Sequence, residues 1–172
     1  MDTERTDDER FMEMALIEAE AAAAIGEVPV GAVIVHDGHV LARAHNDRES
    51  RPDPLGHAEL LAIRAAAREL DRWRLTGCTV YVTCEPCPMC AGAMVNARID
   101  RCVYGVDDPK AGALGSLFDL HDDPRLNHRF EVTRGVLAEP AARLISGFFA
   151  ERRQAAGDAS MADDPKEATD EP

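Results

Sequence analysis

His57, Glu59, Cys87 and Cys90, in the segments GHAEL at 56–60 and TCEPCPMCAG at 83–92, are the residues whose types and spacing point to chemistry. One imidazole and two potential thiolates are the donor types that Zn²⁺ favours. Glu59 stands two residues after His57. Positions two apart on a helix do not share a face, so a metal held by His57 leaves Glu59 to address something beside it, such as a bound water. Cys87 and Cys90, three apart at an expected helix start, do share a face, and Pro88 presets the first turn. The positive end of such a helix favours the thiolate forms that bind metal. Three protein ligands leave a fourth position open, where water gives up a proton near neutral pH and a neighbouring carboxylate can shuttle it. Two other readings use overlapping residues. Cys84, three before Cys87, would close a Cys₃His structural site, which leaves Glu59 without a role. A redox C-x-x-C would call on neither His57 nor Glu59.

The elements around these residues follow from periodicity. Residues 8–25 suit a helix, and VPVGAVIVHDGHVLARA places two β-branched runs around Asp37-Gly38, a hairpin signature. After a polar, proline-containing loop at 46–56, HAELLAIRAAARELD carries apolar residues at helical spacing. TVYVTC reads as a strand, CPMCAGAMVNAR as a helix entered through prolines, RCVYGV and FEVTRGVL as strands, and EPAARLISGFFAERR as the closing helix. The alternation implies parallel pairing by crossovers beside an antiparallel hairpin, hence an α/β fold with a mixed five-stranded sheet and helices on both faces. Residues 1–7 are expected to be a flexible acidic N-terminus, 8–153 the folded domain, and 154–172, without aromatics or apolar period, a disordered acidic tail.

With 172 residues, 45% of them apolar, the chain is sized for one core. No apolar run approaches the ~18 residues that span a bilayer. MDTERTDDER is acidic where a signal segment is basic, so a cytoplasmic protein is expected. Five cysteines are an odd and small number for a disulfide scaffold. The net charge of −13 opposes the approach of a polyanion, but −3 of it lies in residues 1–10 and −5 in residues 154–172, leaving −5 for 11–153. His36, His39, His45, His121 and His128 have no ligand spacing to one another, and Gly112 and Gly115 read as turn formers.

HAE followed by EPCPMCAGAM resembles the signature of the zinc-dependent nucleoside and nucleobase deaminases. EVPVGAVIV, Asn46, the DP before HAE, EPCPMCAGAMVNARI, DPKAGALGS, LNHR and the terminal FF followed by RR extend the likeness over roughly residues 8–153 to the bacterial tRNA-specific adenosine deaminases. Cys84, where that family commonly has Leu, and Pro109 with Ala111 are departures. The resemblance implies a three-layer cytidine-deaminase-like fold, one Zn²⁺ per subunit on His57, Cys87 and Cys90, and Glu59 as general acid and base. It implies hydrolytic conversion of a wobble adenosine to inosine, a tRNA anticodon stem-loop as partner, and a homodimer. Asn46, Asp108, Lys110, Asn127, Phe148, Phe149, Arg152 and Arg153 become candidate substrate contacts by the same likeness. On composition alone Asn46 and Asn127 are turn residues, Asp108 and Lys110 loop charges, and the phenylalanines core. Phe148 and Phe149 each lie four residues before an arginine on one helix face, and by the likeness one Phe and the arginines would stack on and neutralise single-stranded RNA. Within the deaminases, a free base or nucleoside such as guanine, cytosine or cytidine is the alternative substrate.

Overall fold

Three acidic residues open the first helix, α1 (Asp7–Ala24), where they complement the positive helix end. Thr6 caps it reciprocally with Glu9. The computed structural model describes residues 6–162. Strands β1 (Gly31–His36) and β2 (His39–His45) pair antiparallel, and Asp37 and Gly38 between them both take positive φ (48° and 73°), as the Asp-Gly signature requires. Helix α2 (Ala58–Glu69), strand β3 (Cys78–Cys84), helix α3 (Pro88–Ala97) and strand β4 (Arg101–Val106) follow. Strand β5 (Glu131–Arg134) and helix α4 (Ala138–Ala162) complete the fold.

The sheet order is β2-β1-β3-β4-β5, with β1 antiparallel to both neighbours and β3, β4 and β5 parallel. Successive residues of the central strands face opposite layers. Ala32, Ile34, Val80, Val82, Cys102 and Tyr104 pack with Ala58, Ala62 and Ala66 of α2 and Ala91, Met94 and Val95 of α3. Val33, Val35, Tyr81 and Val103 pack with Phe11, Met12 and Ala15 of α1, and α4 lies against β3, β4 and α1 on the same side. The result is the expected α/β mixed five-stranded sheet with helices on both faces. Among the described residues no helix is long and apolar enough to cross a membrane.

Two boundaries differ from the expectation. Helix α4 does not end at Arg153 but runs to Ala162, so residues 154–162 are helix and not disordered tail. Gln and Ala are good helix formers, and Gly157 is too isolated to stop them. The rest of that tail lies outside the described residues. Thr6 and Asp7, placed in the flexible N-terminus, are the cap and first residue of α1, while residues 1–5 lie outside the described residues. The parallel link from β4 to β5 is also unusual. Residues 107–130 cross over without a helix, held by turns and one isolated bridge between Leu114 and Asp119.

Candidate active site

Two helix starts bring the chemistry together. His57 is the N-cap residue of α2, and Cys87 the N-cap residue of α3 with Pro88 behind it. Neither uses its side chain to cap, so both side chains remain available. The start of α2 is instead fixed by Asn46, whose Oδ1 accepts the Ala58 N–H at 2.9 Å. His57 Nδ1 lies 3.7 Å from Cys87 Sγ and 3.5 Å from Cys90 Sγ. A tetrahedral ion bound at ~2.05 Å by nitrogen and ~2.3 Å by sulfur holds such donors about 3.6 Å apart, so the three residues fit zinc. The electrostatics agree. Hydrogen bonds from the Cys90 thiol and from His57 hold Cys87 at about 4, and Cys87 in turn raises both partners.

Glu59 is 4% exposed, and its burial pushes the carboxyl up to about 7 against its own backbone N–H and the His57 charge. Such a group can both take and give a proton near neutral pH. His57, Glu59, Cys84 and Cys87 line a cavity of about 540 Å³. Cys84 lies outside the three-donor cluster, and burial pushes its thiol up to about 12, so it stays neutral on the wall. Among the described residues that cluster is His57, Cys87 and Cys90, with no other histidine. His45 is bonded to Glu18, His121 to Asp119, and His128 to the Ile99 carbonyl.

Of the candidate substrate contacts, Asn46, Asp108, Lys110 and Phe149 line the cavity. Phe148, Arg152, Arg153 and Asn127 do not. Arg152 stacks over Phe148 at 5.0 Å and reaches the Gly26 carbonyl and Glu49, while Arg153 and Asn127 are exposed. Arg48, Glu27 and Glu85 are among the lining residues that the sequence did not single out. Arg48 stands on the wall. Glu27, 2% exposed, accepts the N–H groups of Glu49 (2.7 Å) and Ser50 (2.6 Å). Glu85, 3% exposed, accepts from Asp108, Leu114 and Ser116. The available signal for Glu85 was an acid directly after the apolar run TVYVTC, a place where a carboxylate must find donors.

A family model of MafB19-like deaminases matches residues 6–153. The tRNA-specific adenosine deaminase of Bacillus subtilis (strain 168) is 49% identical over 149 residues, covering 87% of this chain and 92% of the relative. The enzyme of the same name from Haemophilus influenzae is 47% identical over 148 residues, 86% of each chain. A structure from a study of A-to-I editing by tRNA deaminases at the wobble position superposes with a TM-score of 0.76 at 44% identity, over 78% of this chain and 98% of that one. A guanine deaminase from Nitrosomonas europaea superposes at 0.70 with 26% identity, over 83% and 84%. The chain therefore belongs to the tRNA-specific adenosine deaminases, within the MafB19-like deaminase family.

Proposed function

We propose that this protein hydrolyses the wobble adenosine of a tRNA anticodon loop to inosine and ammonia. The observation that carries the reading is the buried Glu59 carboxyl lining one cavity with His57 and Cys87 of the three-donor cluster, in a chain 49% identical over 149 residues to a tRNA-specific adenosine deaminase. His57, Cys87 and Cys90 would hold Zn²⁺, which when bound supplies the Lewis acidity that makes hydroxide available near neutral pH. Glu59 takes a proton from the attacking water and gives it to a ring nitrogen of the base. As oxygen bonds to C6, Glu59 carries the remaining proton to the exocyclic nitrogen, which leaves as ammonia while the ring carbonyl forms.

Asn46 has one side-chain oxygen committed to α2 and its amide N–H groups free to address the nucleoside. Arg48 and Lys110 on the cavity wall offer positive charge to backbone phosphates, and Phe149, 40% exposed, offers a stacking face. Asp108, Asn127, Phe148, Arg152 and Arg153 complete the proposed RNA surface. Its outer members engage RNA beyond the flipped base, with Arg152 leaving Glu49 to do so. The enzyme acts in the cytoplasm as a homodimer. The shallow hollow between α2 and α3, with Ile63, Ala67 and the 58% exposed Trp73, supports a subunit contact there.

Positional selectivity tests this reading. A zinc-loaded preparation should convert an anticodon stem-loop with adenosine at the wobble position, releasing one ammonia per inosine. It should leave intact a stem-loop whose only adenosine is displaced by one nucleotide. Equal conversion of both would contradict it.

A further inference from the structure

We propose that Glu85 is a positioning residue for substrate binding, its carboxylate fixing the 107–116 segment as the cavity wall that carries Asp108 and Lys110. Glu85 follows β3 directly and is buried, so its charge must be met by donors. Those donors come from one segment. One carboxylate oxygen accepts the Asp108 N–H at 2.9 Å and the Ser116 hydroxyl, and the other accepts the N–H groups of Leu114 and Ser116, each at 3.0 Å. A Cβ on Gly112 would collide with the carboxylate, so glycine here serves the close approach of the loop to Glu85.

The anchored segment then organises itself. Asp108 Oδ1 accepts the N–H groups of Lys110 (2.9 Å) and Ala111 (3.2 Å), and its carbonyl accepts that of Gly112 (2.8 Å). Asp107, Asp108, Pro109 and Lys110 line the cavity, in a crossover that has no helix to stiffen it. Glu85 substitutes for that missing element. It also stands two residues before Cys87, so the wall is registered to the strand that leads into the metal cluster.

Glu85→Gln tests this with shape preserved. The amide oxygen can serve Leu114 and Ser116, which leaves its NH₂ donor facing the Asp108 N–H donor. Hydrogen exchange across residues 107–116 should accelerate, and KM for the stem-loop should rise about tenfold with kcat nearly unchanged and zinc content intact. Ser116→Ala, at an exposed residue, removes one donor and should move both readouts in the same direction by less. Unaltered exchange in both variants overturns the anchor. Faster exchange with an unaltered KM overturns the positioning role, leaving only a structural brace. Loss of folding or zinc in Glu85→Gln passes the decision to Ser116→Ala, where an unchanged KM and unchanged exchange overturn the proposal. The kinetic arm rests on the proposed RNA substrate. Failure of the unmodified protein to convert the stem-loop defeats that reading separately, and KM is then read on whichever substrate the protein does turn over.

Discussion

The distinction between Glu59 and Cys84 separates an enzyme from a zinc module. Both line one cavity, but Glu59 is a carboxyl raised toward neutrality, while Cys84 is a neutral thiol outside the donor cluster. Glu59→Gln should keep stoichiometric zinc and lower kcat by about 10²- to 10⁴-fold. Cys84→Ala should keep both zinc and turnover. Metal analysis beside turnover checks the pair, and loss of zinc in Cys84→Ala would restore the closed Cys₃His site. These residues were legible in sequence because their spacing encodes local geometry, a histidine and a cysteine each at a helix start. Glu27 and Glu85 were not, since the donors that define them lie 22 to 31 residues away. Arg152 was legible as a helix-face partner of Phe148, but not its reach to Gly26, 126 residues distant.

Elements are joined near the start of α1 by a small charged network. Arg101 of β4 holds both oxygens of Asp8, at 3.0 and 2.6 Å, and also donates to Thr133 of β5, while Tyr81 of β3 donates to Asp8 at 2.9 Å. Partial burial works to raise the Asp8 pKa, but Arg101 and Tyr81 outweigh it and hold the carboxyl below its ordinary range. A carboxyl lowered on folding stabilises fully above its unfolded pKa of about 4, and the contribution fades as pH falls through the folded value. Asp8→Asn should therefore cost about 1–2 kcal/mol near neutral pH, the charged hydrogen bonds being discounted for their partial exposure. Urea unfolding should show that gap shrinking as pH drops from about 6 to about 3. A gap independent of pH would contradict the assignment. The hairpin and the alternating strands and helices were legible from period and turn chemistry. The helix-free crossover at 107–130 was not, because its first part bonds to the Glu85 carboxylate, 23 to 31 residues away, and follows no local pattern. Nor was the end of α4, where weak propensities decide.

At the scale of the whole molecule, charge and substrate are in tension. A net charge of −13 slows the approach of RNA, yet 8 of those charges sit in residues 1–10 and 154–172, and the cavity wall carries Arg48 and Lys110. Counterion release makes RNA binding fall steeply with salt, whereas turnover of a small neutral nucleoside does not depend on it in this way. The most direct test follows from this contrast. Zinc-loaded protein is offered an anticodon stem-loop with a wobble adenosine, and in parallel free adenosine, cytidine and guanine, at low and high salt. Inosine in the stem-loop alone, formed less efficiently as salt rises, is the predicted result. Salt-insensitive turnover of a free base or nucleoside, with the stem-loop untouched, would contradict it.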